Sequence, residues 1–261
     1  MQHDRVLALG FFDGIHLGHA ALLNKTRQRA QELGLTPAAM SFDTHPDTLV
    51  FGTRVPLLNT MAEREFLMRR LCGVEEVLFA HFDEAMMHMP WEVFVEDYLV
   101  RRLRARHVVC GHDFHFGDRG QGNPARLREK CCALGVGCDV IPEIQLDGQC
   151  VSSTTIRALL RAGDCKAAAR LLKFGGRLCM CHRPERLSDL ICLMRTCGVE
   201  PKRLRTVSQR EGKAPSLVLV EGRKGAKAGL NIDAPFFIEK DAAYSPEMEL
   251  IYRDYNEEVR K

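Results

Sequence analysis

The chain has 261 residues, 46% of them hydrophobic and 27% charged, with a formal net charge of +3 at pH 7. That balance describes a folded globular chain and excludes a disordered or fibrous one. No apolar run approaches the roughly 18 residues of a membrane span, and the first residues lack a signal-peptide core, so a cytoplasmic protein with no membrane partner is expected. In chain order, 6–10 reads as a buried strand and 19–33 as an amphipathic helix stopped by Gly34. Strands at 36–42, 76–82, 107–111 and 137–141 alternate with helices at 63–71, 91–103, 126–134, 153–161 and 166–172. This alternation predicts a parallel α/β sheet with helices on both faces. The second half is expected to continue in the same manner, with strands at 176–181, 203–209 and 216–221 and a helix at 187–197. Beyond Ala228 the pattern fades.

Eleven cysteines are scattered along the chain, which reads as reduced thiols rather than a disulfide framework. The cluster Cys179-Met180-Cys181-His182 has no second ligand pair at zinc-finger spacing, so no metal site is assigned to it. Charge is uneven. Residues 1–169 hold 19 Lys+Arg against 21 Asp+Glu, and residues 170–261 hold 18 against 13, with 14 basic to 5 acidic within 170–227. A stretch of that density is either a solvated face or an RNA- or polyphosphate-facing surface.

Gly10-Phe-Phe-Asp-Gly-Ile-His16-Leu-Gly-His19 lies where a strand ends and a helix begins. Unpaired backbone N–H groups and the positive end of the helix dipole meet there. His16 and His19 share one face of the first turn, and Gly18 between them lets a ligand approach the backbone. Such a mouth suits a polyphosphate. A pair of surface histidines beside a cap is the bland alternative. Val151-Ser152-Ser153-Thr154-Thr155-Ile156-Arg157 is a second strand-to-helix turn, with four hydroxyls and an arginine. Capping accounts for one or two of the hydroxyls, and all four with Arg157 would form a second oxyanion cradle. Both turns can face one triphosphate across the carboxyl edge of a parallel sheet.

These two motifs resemble those of the nucleotidylyltransferase superfamily. Phe42-Asp-Thr-His45-Pro46, Leu58-Asn-Thr60 with Glu63-Arg64, Phe94-Val-Glu-Asp-Tyr-Leu99 and Gly111-His-Asp113-Phe114-His-Phe116-Gly117 narrow the resemblance to the FMN adenylyltransferase module of bacterial FAD synthetases, over residues 5 to about 170. The resemblance implies a Rossmann-like parallel sheet and transfer of AMP from ATP to FMN, giving FAD and pyrophosphate with Mg2+. It implies catalytic roles for His16, His19 and Arg157. ATP contacts are implied for Gly10, Phe12, Asp13, Gly14, His16, Gly18, His19, Asp113, Ser153, Thr154 and Arg157, and flavin contacts for His45, Pro46, Phe114 and Phe116. Core packing is the alternative for each phenylalanine.

Bacterial FAD synthetases usually continue into a riboflavin kinase barrel, and nothing after Leu172 resembles one, so the kinase step is not expected. From about Ala169, the segments Gly175-Gly-Arg-Leu-Cys-Met-Cys-His-Arg-Pro-Glu-Arg-Leu187, Glu200-Pro-Lys-Arg-Leu204, Gly212–Gly222 and Pro235-Phe-Phe-Ile238 are similar to the C-terminal half of bacterial tRNA adenine-N6 methyltransferases. That half implies a partial doubly wound α/β segment. Its Gly-rich cofactor turn and Asn-Pro-Pro-aromatic motif are missing, because Gly135-Val-Gly137 has the wrong order of elements and Asn123-Pro124-Ala125 lacks the second proline. Residues 1–169 and 170–261 are therefore expected to be an adenylyltransferase domain and a methyltransferase-like fragment without its active half. An open half-sheet must pack on something, the first domain or a second copy of the chain. Two other readings stay open: an RNA-binding protein related to tRNA modification, and a catalytically inactive fusion.

Overall fold

Val6, Leu7, Ala8 and Leu9 are all buried, because β1 (Arg5–Leu9) is covered on both faces. The computed structural model describes residues 3–146, 148–241 and 243–252, so 1–2 and 253–261 of the two expected segments lie outside the described residues. The chain divides into two compact units, Met1–Asp164 and Cys165–Lys261.

In the first unit β1 is followed by α1 (Leu17–Leu33), β2 (Thr36–Phe42), α2 (Pro46–Phe51), α3 (Met61–Cys72), β3 (Glu76–Ala80), α4 (Glu84–Met87) and α5 (Trp91–Val93). A widened helical segment, Phe94–Arg102, then leads to β4 (Ala105–Gly111), α6 (Pro124–Ala133), β5 (Gly137–Ile141), the short strands β6 (Gln145–Leu146) and β7 (Gln149–Cys150), and α7 (Ser153–Arg161). The sheet order is β3-β2-β1-β4-β5, every pair parallel. The two faces alternate along each strand. Leu7, Leu9, Met40, Val108 and Cys110 pack with Phe94, Leu99, Leu127 and Cys131. Val6, Ala8, Ala39 and Val109 pack with Leu22, Leu23, Leu67 and Met68 of α1 and α3 on the other side. The chain winds outward from β1 through β2 and β3, then returns to lay β4 beside β1. Their carboxyl ends therefore form the topological switch point, where an open α/β sheet leaves a crevice.

The helix expected at 91–103 is present, but most of it has turns one residue wider than an α-helix, with Leu103 N donating to Tyr98 O. The wider turn puts Phe94, Val95 and Leu99 into the core together. The short helices α2 and α4 fall in stretches that carry no helical period.

The second unit holds α8 (Cys165–Arg170), β8 (Arg177–His182), α9 (Leu187–Thr196), β9 (Val199–Ser208), β10 (Leu217–Lys224), β11 (Asn231–Ile232), β12 (Phe236–Phe237), β13 (Glu239–Lys240) and β14 (Ala243–Tyr244). Its main sheet runs β11-β9-β10-β8, and β12 also pairs with β9. Here the expected continuation of an all-parallel pattern is corrected: β10 is antiparallel to both β8 and β9. The reason lies in the connections. β8 reaches β9 through the crossover helix α9, which permits parallel strands, whereas β9 reaches β10 through a short turn containing Gly212 at φ 76°, which reverses the chain. Ala169 of α8 packs with Leu190, Met194, Val199, Leu204, Val218 and Val220 in a core of this unit's own.

Candidate active site

A cleft of about 630 Å³ opens at the carboxyl ends of β1 and β4. Leu9 and Gly10 at the end of β1, and Gly111 to His115 at the end of β4, form its floor and one wall. His16, Gly18 and His19 at the start of α1, and Ser152, Ser153, Thr154 and Arg157 at the start of α7, face the same space. The two helix mouths thus share one cleft.

His16 is the N-cap of α1: its Nδ1 accepts from His19 N at 3.3 Å. Accepting at Nδ1 leaves the proton of a neutral imidazole on Nε2 as a donor. The His16 and His19 rings stack with centroids 3.7 Å apart. Burial pushes the His16 pKa down to about 4 and holds that of His19 well below the usual value, with the neighbouring ring adding to the effect on His19. Both imidazoles are therefore neutral at pH 7 and act through directed N–H and lone pairs rather than charge. His19 Nδ1 is buried without a hydrogen-bond partner among the described residues, a polar atom that a ligand in the cleft can satisfy. Gly18 serves His16: a Cβ there would lie 3.1 Å from the imidazole, closer than ordinary contact, so glycine gives the ring room to fold back over the helix start.

The second mouth differs in detail from a cradle of four free hydroxyls. Ser152 Oγ accepts from Thr155 N at 3.1 Å and lies 2.9 Å from Thr155 Oγ1, so these two hydroxyls cap α7. Ser153 Oγ donates to Asp13 O at 2.8 Å, while Thr154 lines the cleft. Arg157 is tied down as well, with Nη2 donating to Asp13 Oδ2 at 2.6 Å and Nε to Pro56 O at 2.9 Å. The Asp13 carboxylate, 1% exposed, also accepts from the backbone N–H groups of Leu58 and Asn59. Asn59 Oδ1 in turn accepts from Gly14 N at 2.8 Å. Asp13 therefore knots three segments together: its own turn, the loop 56–59 and the start of α7. The turn itself is unusual, with positive φ at Phe12 (59°), Gly14 (82°) and Ile15 (36°).

Across the cleft, His45 caps α2 in the manner of His16, with Nδ1 accepting from Asp47 N at 3.2 Å. Burial lowers its pKa. Phe11 lies 4.5 Å from the His45 ring, and Phe11, Phe42, Pro46 and Phe114 complete this end of the cleft. Asp113 and Glu143 place exposed carboxylates on the wall.

The family described as FAD synthetase matches residues 1–155. The chain belongs to that family. Bifunctional riboflavin kinase/FMN adenylyltransferases from Haemophilus influenzae and Listeria monocytogenes are 34% and 32% identical to it. The matched regions cover 64% and 66% of this chain and 54% of each relative, so the chain spans about half the length of the curated relatives it matches. A solved structure titled macrolide-efflux protein, from Streptococcus pneumoniae, shares the fold at TM-score 0.64 and 18% identity, covering 99% of this chain and 94% of that one.

Among the residues expected at the site, Gly10, His16, Gly18, His19, His45, Pro46, Asp113, Phe114, Ser153, Thr154 and Arg157 border the cleft. Phe12, Asp13, Gly14 and Phe116 do not. Phe12 is fully buried against α1 and α3, and Phe116 packs on Phe94 in the opposite core. Asp13 and Gly14 stand behind the wall in the knot just described. Sequence reasoning passed over Phe11, Glu143, Cys150 and the role of Asn59, for which single residues in loops carry no periodic signal.

Proposed function

We propose that the chain transfers AMP from ATP to FMN, giving FAD and pyrophosphate. The observation that carries this reading is that the two helix mouths open on one cleft, in a chain of the FAD synthetase family. An oxygen of the FMN phosphate attacks the α-phosphorus of ATP, the bond from that phosphorus to the β-phosphate oxygen breaks, and pyrophosphate departs. Such a step asks the protein for positioning and charge stabilisation rather than a covalent nucleophile. His16, His19, Thr154 and Arg157 face the phosphates, with Gly10, Gly18 and Ser153 shaping the floor. Phe12, Asp13 and Gly14 act from behind by setting the positions of these groups. His16 presents Nε2–H, and Arg157 presents a guanidinium already oriented by Asp13, so neither must reorganise as charge moves onto pyrophosphate. His45, Pro46 and Phe114 would contact the flavin, with Phe116 supporting Phe114 through ring contact at 5.4 Å. Asp113 and Glu143 would offer Mg2+ hard oxygen donors beside the phosphates, and the ion would neutralise phosphate charge.

Residues 1–169 carry this activity in our reading, and 170–261 are a methyltransferase-like segment without cofactor or catalytic motifs. The β8-α9-β9 crossover with β10 inserted between its strands supports the end of a doubly wound sheet. Among the described residues its main sheet runs β11-β9-β10-β8. Within the basic stretch, Arg177 pairs with Glu221, Arg195 with Glu200, Arg203 with Asp233 and Arg205 with Glu247. The test is direct. Purified protein with ATP, Mg2+ and FMN should form FAD and pyrophosphate in equal amounts; no FAD, together with salt-sensitive tRNA binding, would favour the RNA-binding reading.

A further inference from the structure

The turn between β1 and α1 holds Phe12, Gly14 and Ile15 in left-handed backbone, at φ 59°, 82° and 36°. Phenylalanine and a β-branched isoleucine resist that region, so the turn persists only where its surroundings over-determine it. Asn59, which does not line the cleft, supplies two of the restraints. Its N donates to Asp13 Oδ1 at 2.9 Å, and its Oδ1 accepts from Gly14 N at 2.8 Å. The second bond gives Gly14 N–H an acceptor that no backbone carbonyl supplies among the described residues. Asn59 is itself anchored, because Thr60 beside it caps α3 through a capping box with Glu63. Leu58 presses on the same place: a Cβ on Gly14 would lie 2.7 Å from its Cδ1.

The clamped turn carries one phosphate mouth and braces the other. Two residues after Gly14, His16 starts α1, its carbonyl accepting from Ala20 N at 2.9 Å and its Nδ1 from His19 N. Toward α7, Asp13 O accepts from Ser153 Oγ and Asp13 Oδ2 from Arg157 Nη2. A displacement of residues 13–15 would therefore move the imidazoles against the guanidinium, and a misplacement of about 1 Å can cost about a hundredfold in rate. We propose that Asn59 is a positioning residue for adenylyl transfer, whose side-chain amide fixes this turn and so sets the spacing between the His16–His19 mouth and Arg157. The inference rests on the adenylyl-transfer reading above and names a residue that aligns its two mouths without touching a substrate.

The test compares wild type with Asn59→Leu, which keeps the bulk but loses the acceptor, and with Asn59→Ala, a smaller replacement should leucine not fold. Steady-state rates with ATP, Mg2+ and FMN are read together with urea midpoints and NMR signals of the histidine rings. Both variants should lower kcat about tenfold to a hundredfold while leaving KM for ATP and FMN within about threefold of wild type. The ring signals of His16 and His19 should shift, and that of His107, held by Asp139 on β5, should not. In a His19→Ala background, which lacks an imidazole to align, Asn59→Leu should cost much less, whereas in a Phe114→Leu background it should cost its full factor. Wild-type kcat in a folded variant overturns the inference. So does the same factor of loss in both backgrounds, which marks a general effect on the fold, or a loss confined to KM. A wild-type chain that forms no FAD would sink the adenylyl-transfer reading, and unmoved His16 and His19 signals would separately overturn the clamp.

Discussion

Two histidines at the mouth of α1 are more informative for being neutral than they would be as cations. His16 has its pKa lowered to about 4 by burial, from 6.5. The unfolded chain therefore binds the extra proton first as pH falls. The sign follows: stability is at its full value above about pH 6.5 and is lost as pH drops toward 4, by roughly 3 kcal/mol for this residue alone. Urea midpoints measured between pH 7.5 and 4 should fall accordingly, and His16→Asn should flatten the fall; an unchanged slope would contradict the buried neutral ring. The Asp13–Arg157 pair makes a second prediction at this scale. Asp13→Asn leaves a buried guanidinium without its counter-ion, so denaturation should show a loss of about 3 kcal/mol. No long-range pairing of this kind is visible in a sequence, since Asp13 and Arg157 lie at opposite ends of the unit. Nor could His16 and His45 be read as helix caps, because histidine is not among the usual capping residues.

At the scale of elements, apolar runs such as Val6–Leu9 and 36–42 announce strands because burial on both faces of a parallel sheet leaves little room for polar residues. Helices are announced by Gly34, Gly73 and Gly198, which end α1, α3 and α9 in the left-handed region. What stayed hidden depended on neighbours. The direction of β10 follows from a turn, and the widened helix after Trp91 follows from how Phe94, Val95 and Leu99 reach the core. Arg64 on a helix of mixed polarity reads as a solvent-facing charge, yet it is buried. The helix that carries it depends on its cap: Thr60→Ala should cost about 1 kcal/mol in a denaturation experiment. Wild-type stability in that variant would show that the capping box does not hold the start of α3.

For the whole molecule, no helix among the described residues is long and apolar enough to cross a membrane. Each unit has its own core, so a chain ending near residue 172 should stay folded and retain adenylyl transfer, as followed by calorimetry and by FAD formation. Aggregation of that shortened chain would instead mean that the first unit needs the second. The full chain should show no S-adenosylmethionine binding by calorimetry, and a micromolar dissociation constant would contradict the fragment reading of the second unit. Adenylyl transfer as proposed needs one ligand bridging the mouths of α1 and α7. Titration of ATP with Mg2+ into wild type, His19→Ala, Arg157→Ala and the double variant measures this coupling. The prediction is one ATP per chain, weakened by either substitution with less than additive loss in the double variant, and turnover down by orders of magnitude in each. Full additivity, or ATP affinity untouched by Arg157→Ala, would place the two mouths on separate tasks.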